Sequence, residues 1–258
     1  MTLDIAHIVE GVAGLSVAFG LVFLRAGAIM AVLPAFGEQF VPMRVRLVAT
    51  LAFAVLVAPA VSDAAPPLLE AGKTWPTLVL NEVLAGLMLG LAVRLLVLAL
   101  VMAGTMAATA MSLTQLLGGA AVDPQPAMSG IFWLAGLALA AQSGLHVNLV
   151  TALAETYDIL PIGKGFESGD LAEWGTARVT HAFALAFTFA APFVIASVVY
   201  NAALGAINRA MPTLMVAFVG APAITGGALV LMALTLPFIL PIWLGVLDRT
   251  LSAPFMAP

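Results

Sequence analysis

The chain has 258 residues, of which 63% are hydrophobic and only 9% are charged, and its formal net charge is -4. Soluble domains carry about 25% charged residues, so this composition predicts an integral membrane protein surrounded by lipid. The lack of cysteine excludes disulfides, thiolate metal sites and thiol nucleophiles. The sequence has no basic patch of the kind that binds nucleic acid.

Six apolar blocks follow one another along the chain, separated by shorter polar or proline-rich segments. They cover residues 11–33, 47–61, 77–100, 127–154, 177–207 and 213–247. A spanning helix needs about 20 apolar residues, and most of the blocks reach that length. The pattern predicts an all-α membrane fold of about six helical elements in a single domain, residues 1–258. We expect the third and fourth blocks, and the fifth and sixth, to form broken helical hairpins.

The basic residues indicate an orientation. Arg44 and Arg46 would lie inside by the positive-inside rule. Six crossings then place Arg209 inside as well, with Lys73 and Lys164 outside. This arrangement predicts an outside N-terminus, and it requires that the stretch between the third and fourth blocks does not cross the bilayer.

That stretch, from Met102 to Gln125, suits lipid poorly. Many of its side chains are small, and its hydroxyl and amide groups need hydrogen-bond partners in hydrocarbon. The pair Gly118-Gly119 weakens a helix, and the proline after Asp123 disfavours helical backbone there. Irregular backbone at membrane depth is tolerated only where protein surrounds it or where it lines a cavity. The sequence therefore predicts a re-entrant loop packed inside an assembly.

We call residues 104–125 the central segment. Its apolar side chains would form a constriction that excludes water, and methionine suits a deformable seal because it is unbranched and polarizable. The candidate gate residues are Met106, Met111, Leu113, Leu116, Leu117, Gly118, Gly119, Asp123 and Pro124. The glycines would let the segment swing aside. The alternative is an ordinary buried helix with a frayed end.

Three charged residues, Arg25, Glu82 and Arg94, lie inside apolar blocks. A charge at a helix centre costs about 3 kcal/mol on insertion scales, so each should face protein or water. At about 1.5 Å per residue, Glu82 and Arg94 are too far apart along one helix to pair directly. Their partners must lie on other elements or subunits. We interpret the three as assembly ion pairs, with a proton relay or a gate switch as the alternative.

Three motifs occur in order along the chain. They are Pro34-x-Phe36-Gly37 with Val41-Pro42-x-Arg44-x-Arg46, Gly104-x-x-x-x-x-x-Met111 ending in Gly118-Gly119-x-x-x-Asp123-Pro124, and Met211-Pro212-x-Leu214-x-Val216-x-Phe218-Val219-Gly220-x-Pro222. With the chain length and the element order, they resemble the FliR family of the flagellar type III export apparatus. The resemblance covers nearly the whole chain. One departure lies in the central segment, which is aromatic in many relatives and carries methionine and leucine here.

The resemblance implies a non-enzymatic subunit of an export gate in the bacterial inner membrane, at the flagellar basal body. Such a subunit assembles with FliP and FliQ into a hetero-oligomeric helical pore and works with FlhB. Unfolded flagellar proteins pass through that pore, and the central segment projects into it as a plug. No cofactor is implied.

A second hypothesis is a small secondary transporter with a charged substrate site near the midplane of the bilayer. Such transporters usually show an internal repeat, and none is evident here, although the three intramembrane charges agree with the idea. An intramembrane hydrolase is a remote third reading, because no nucleophile–base constellation is present. The histidines match no metal-binding motif, and the chain lacks a phosphate-binding loop with its lysine.

Overall fold

The computed structural model describes residues 5–34, 41–62, 74–116, 127–211 and 216–256, with the backbone alone for 5–10, 112–116, 168 and 216–222. Within these ranges the chain forms seven α-helices and no strand. They are α1 (Ile5–Val32), α2 (Met43–Val61), α3 (Trp75–Leu116), α4 (Ala127–Gln142), α5 (Leu145–Ile159), α6 (Ser168–Ala210) and α7 (Val216–Ser252). The all-α fold predicted from composition is confirmed.

Five of the described helices are long and apolar enough to cross a membrane, and α4 with α5 would make a sixth span if the bent pair counts as one. The predicted blocks correspond to these elements, with shifted boundaries. The largest shift is at α3, which continues to Leu116 although the third block was predicted to end at residue 100. α6 begins at Ser168, nine residues before the predicted start of the fifth block. The chain is therefore an all-helical integral membrane protein, as the apolar blocks indicated.

The fourth apolar block, predicted as one element over 127–154, is broken in two. The axes of α4 and α5 differ by 72°, and the break falls at Ser143 and Gly144. Gly144 has φ of 81° and directly precedes α5. A side chain at that φ is strained, so glycine allows the chain to turn without loss of either helix. The polar triplet Gln142-Ser143-Gly144 within apolar sequence was the available signal for this break.

The first half of the central segment is helical, so the prediction of a loop over 104–125 is wrong for residues 104–116. These residues continue α3 without interruption to Leu116. The hydroxyl of Thr105 donates to the carbonyl of Val101 at 2.9 Å, and that of Thr109 donates to the carbonyl of Thr105 at 3.0 Å. The helix itself thus supplies the partners that these polar groups need in hydrocarbon. Residues 117–125 lie outside the described part of the chain.

The described residues cluster into two compact units. Unit 1 takes its residues from Met1–Leu95, Ala141–Arg178 and Leu247–Pro258. In it, α2 packs against α1 and α5. α1 and α3 approach closely because α3 presents glycine at the contact: a Cβ on Gly86 would meet the carbonyl oxygen of Arg25, and one on Gly90 would meet Val32. Small residues allow this close approach of two helix backbones.

Unit 2 takes its residues from Leu96–Ala140 and Val179–Val246. Its core contains the ring pair Phe132–Phe193, with centroids 6.1 Å apart, and the fully buried Trp243. The indole N–H of Trp243 donates to the carbonyl of Leu96 at 2.9 Å, so its one polar group is satisfied. Gly136 of α4 leaves room for Leu100 of α3.

Candidate gate region and buried ion pair

Two of the three predicted intramembrane charges form an ion pair inside unit 1. Arg25 of α1 and Glu82 of α3 are 1% and 0% exposed, and Arg25 Nε donates to Glu82 Oε2 at 2.7 Å. The partner of Glu82 therefore lies on another helix of the same chain, and a role of the pair in assembly with other subunits stays a prediction. The close approach of α1 and α3 at Gly86 brings the two side chains within reach.

The other two nitrogens of the Arg25 guanidinium also have acceptors. Nη1 donates to the hydroxyl of Thr156 at 2.9 Å, and Nη2 donates to the carbonyl of Leu160 at 3.1 Å. The guanidinium carbon lies 3.7 Å from the centroid of the Tyr157 ring, which adds a cation–π contact. The pair on α1 and α3 therefore also binds the end of α5.

The end of α5 and the turn after it also contact Glu82. Oε2 accepts from the hydroxyl of Tyr157 at 3.2 Å, and Oε1 accepts from the backbone N–H of Gly163 at 3.4 Å. Gly163 has φ of 73°, and its carbonyl accepts from the side-chain amide of Asn81 at 3.2 Å. The turn after α5 thus docks on α3 through both backbone groups of Gly163, the N–H contacting Glu82 and the carbonyl contacting Asn81.

This arrangement suits a structural role better than a charged substrate site. Burying two ions is costly unless each is paired and its remaining donors and acceptors are satisfied. Here each guanidinium nitrogen of Arg25 donates to an acceptor, and both carboxylate oxygens of Glu82 accept. A substrate would have to displace contacts that join α1, α3 and α5. The geometry makes the pair a tie between three helices.

Arg94, the third predicted ion-pair residue, is not part of this pair. It is partly exposed, and its Nη1 donates to the carbonyl of Val32, near the end of α1, at 3.2 Å. An arginine at a helix C-terminus is favourable because it meets carbonyls that have no intrahelical donor. A role of Arg94 in an ion pair between subunits stays a prediction.

The described part of the candidate gate lies in α3 within unit 2. Met106 is half-buried, and Met111 is 8% exposed. Met111 lines a groove of about 420 Å³ whose other walls come from α6 and α7. The remaining lining residues are Ala196, Tyr200, Ala223, Ile224, Gly227, Ala228, Val230, Leu231 and Leu234. The groove is almost wholly apolar, so it can hold hydrocarbon or apolar side chains.

The other predicted gate residues fall at the edge of the described chain or beyond it. Leu113 and Leu116 have helical backbone at the end of α3, and their side chains lie outside the description. Five further residues lie wholly outside the described part of the chain: Leu117, Gly118, Gly119, Asp123 and Pro124. Their role in sealing a channel stays a prediction.

A close contact joins α3 to the start of α4. The hydroxyl of Ser129 donates to the carbonyl of Val101 at 3.2 Å. Gly104 faces the backbone of Ser129 so closely that a Cβ on Gly104 would collide with it. Because α4 begins at Ala127, this contact fixes the start of α4 against α3, twelve residues before α3 ends at Leu116.

Replacement of Gly104 by alanine is expected to separate α3 from α4 and to lower the thermal stability of the purified protein in detergent. The added methyl group meets backbone, which cannot rotate away, so at least one helix must shift. Gly130→Ala is the matched control, because a Cβ there meets nothing within 4 Å. An equal response of the two variants, measured as the shift in melting temperature, would contradict this contact.

Sequence reasoning missed the polar residues that complete the ion-pair network. Thr156 and Tyr157 lie just beyond the fourth predicted apolar block, which ends at residue 154, and both are buried on α5. The buried residues Ala152, Leu153, Thr156, Tyr157 and Leu160 recur at the three- and four-residue spacing of one helix face. Within the described chain, no three His, Asp or Glu side chains are grouped as metal ligands.

Comparisons with known proteins agree with this architecture. Residues 16–250 match the family of bacterial export proteins, family 1. The flagellar biosynthetic protein FliR of Caulobacter vibrioides is 32% identical over 225 residues, covering 86% of this chain and 90% of that protein. FliR of Escherichia coli is 27% identical, with 84% of each chain covered, and FliR of Bacillus subtilis is 25% identical, with 80% of each covered. The chain belongs to the bacterial export protein family 1.

Proposed function

We propose that this protein is a non-enzymatic structural and gating subunit of the flagellar type III protein export channel. It assembles with FliP and FliQ, works with FlhB, and passes unfolded flagellar proteins across the bacterial inner membrane at the flagellar basal body. The observation that carries the proposal is the family match over residues 16–250, together with relatives named for flagellar biosynthesis.

The lengths of the apolar helices support an assembly rather than a lone membrane protein. The helices that could cross a membrane include 37 residues of α3 and 42 residues of α6. At about 1.5 Å per residue these stretches are about 55 and 63 Å long. The hydrocarbon core of a bilayer is about 30 Å thick. A tilt of about 40° would lengthen the path only to about 40 Å. Lipid can therefore cover only part of each helix.

The surface of α6 makes the same point. Its exposed apolar side chains extend from Val179 to Ile207. That row of side chains is about 42 Å long at the usual helical rise, which exceeds the hydrocarbon thickness. Exposed apolar surface outside lipid is unfavourable in water, so neighbouring proteins are needed to cover it. Apolar helical partners such as FliP and FliQ would meet that requirement.

The gating role rests on the central segment. α3 ends at Leu116 and α4 begins at Ala127, and the contact at Gly104 holds these two helices together. Ten residues separate the helices, among them the Gly118-Gly119 pair. We infer that these residues, with Met111 at their base, form an apolar plug that excludes water from the channel until a substrate arrives.

The test is purification of the tagged protein from its native membrane in a mild detergent, followed by identification of the proteins that accompany it. Two further small, highly apolar helical proteins in fixed ratio with the chain are expected. A lone monomer or a symmetric homodimer would contradict the proposed function and favour a secondary transporter. A Gly130→Ala variant serves as the control for mild perturbation, since its added methyl group meets open space.

A further inference from the structure

A second buried arginine in unit 1 has a different kind of partner. Arg178 of α6 is 5% exposed, and the acceptors of its terminal nitrogens are a hydroxyl and three backbone carbonyls. Nη1 donates to the hydroxyl of Thr250 at 3.2 Å. Nη2 faces the carbonyls of Ala253, Pro254 and Met256 at 3.2, 3.1 and 2.8 Å. All four partners lie at the end of α7 or directly after it.

Trp174 reinforces the same contact from one turn earlier on α6. Residues four apart lie on the same face of a helix, so Trp174 and Arg178 face the segment 253–256 together. The indole N–H of Trp174 donates to the carbonyl of Pro254 at 2.9 Å. The Arg178 guanidinium also lies 5.9 Å from the Trp174 ring centroid. The carbonyl of Pro254 therefore accepts from both side chains.

An aromatic residue anchors the segment beside these hydrogen bonds. The ring of Phe255 packs against that of Phe166 with centroids 5.6 Å apart. Both rings pack on a small buried cluster that includes Met88, Ala92 and Trp174. The segment is thus held by polar contacts to its backbone and by one apolar side chain. This is the pattern by which a binding site recognises a short peptide segment.

We propose that Trp174 and Arg178 form a docking site for the segment 253–256, which closes over them as a clasp and fixes the end of α7 to the beginning of α6. The carbonyls of Ala253, Pro254 and Met256 follow the last turn of α7 and face the guanidinium. A buried charge is costly unless it is hydrogen-bonded, and these carbonyl dipoles compensate it, although none of its acceptors in the described chain is a carboxylate. If the segment 253–256 detaches, the buried Arg178 loses its three carbonyl acceptors. The clasp is therefore a tie that stays closed in the folded protein.

The absence of native cysteine gives a direct test. A single cysteine at Pro254, which is buried, keeps the backbone carbonyl and Phe255 in place. Its rate of modification by a water-soluble maleimide reports how often the clasp opens. We expect slow modification of Pro254→Cys and fast modification of Met256→Cys, because Met256 is 63% exposed. The protein is the full chain, purified in mild detergent.

The second step combines the Pro254→Cys reporter with Arg178→Met or, as a milder change, Trp174→Phe, which keeps an aromatic ring and removes the N–H. Loss of a charge-assisted hydrogen bond is expected to raise the modification rate about tenfold for Arg178→Met and less for Trp174→Phe. The rate at Met256→Cys should not change. Unchanged rates at Pro254→Cys in both variants would overturn the proposal, as would a reporter that reacts as fast as Met256→Cys in the unaltered background.

A further experiment tests whether Phe255 acts together with Arg178 or packs independently of it. Phe255→Ala removes the apolar anchor, and its effect on melting temperature is measured with Arg178 and with Arg178→Met. The two shifts in melting temperature should be non-additive. Phe255→Ala should lower stability most when Arg178 is present, because a loosened segment then leaves a buried cation without acceptors. Additive shifts would show that Phe255 and Arg178 act separately, and would also overturn the clasp.

Discussion

Glu82→Leu is expected to abolish accumulation of the folded protein, whereas the double variant Arg25→Met with Glu82→Leu is expected to recover most of it. The single change leaves a buried guanidinium without its carboxylate, and breaking a buried pair in this way costs about 3–5 kcal/mol. Replacement of both partners by apolar residues removes the uncompensated charge, and such replacements are often neutral or stabilising. The relevant geometry is the 2.7 Å contact between two fully buried groups.

The measurements are the yield of monodisperse protein in mild detergent and its melting temperature. Arg94→Met is the matched control, because that partly exposed arginine donates to the Val32 carbonyl and its loss leaves no buried charge. A double variant that accumulates no better than Glu82→Leu would contradict the view that charge compensation is the main function of the pair.

The same variants distinguish a structural pair from a proton relay. If the double variant is folded, assembles and supports protein export, as expected from the closed set of contacts around Arg25, no proton transfer at this site is needed. If it folds and assembles but blocks export, the charges have a function beyond holding three helices together. Motility of cells that carry the variant gives this readout.

The second large effect is expected from deletion of residues 117–122, which should make the assembled channel permeable to ions. These residues lie between α3 and α4 and contain the Gly118-Gly119 pair and the apolar end of the proposed plug. An apolar constriction blocks ions because water is excluded from it, so its removal should open a hydrated path. Because α4 meets α3 at Gly104, Leu116 lies about 18 Å further along α3. Four residues remain to join Leu116 to Ala127, and their five Cα–Cα steps of up to about 3.6 Å can just cover that distance.

The measurement is ion conductance of the purified assembly in planar bilayers, or proton leak in cells that express it. A deletion of six residues from the linker 63–73 between α2 and α3 provides the control, because it shortens a polar connection and leaves the central segment intact. A complete assembly that keeps its low conductance after loss of 117–122 would remove the plug from the proposed function. Failure of the assembly to form would instead indicate that these residues pack between subunits.

The groove beside Met111 bears on how such a plug is supported. Its walls are apolar and include small residues of α6 and α7, such as Ala196, Ala223 and Gly227. Small residues let an apolar element approach a helix backbone closely. The groove therefore provides space for repacking near the base of the central segment. Unbranched Met111 suits such a position because it adapts its shape at little cost.

Membrane class and helix content were determined by the sequence alone. The low charge content and six apolar blocks predict an all-α membrane protein because unpaired backbone cannot be left in hydrocarbon. The rule that intramembrane charges must find partners also predicted a tie between Glu82 and another element. Three ordered motifs indicated the family. Each of these inferences depends on local composition or on the free-energy cost of burying polar groups. Both can be judged from a single sequence.

Only the tertiary structure decided which groups meet. The sequence contains Arg25 and Tyr157 as separate residues, and packing of α1, α3 and α5 brings them to 3.7 Å. The helical state of residues 104–116 was likewise decided by contacts: small residues that seemed unsuited to lipid pack against α4, and threonines bond within their own helix. The clasp on Arg178 joins positions more than 70 residues apart. Such long-range pairing depends on the positions of whole helices, which composition and periodicity do not contain.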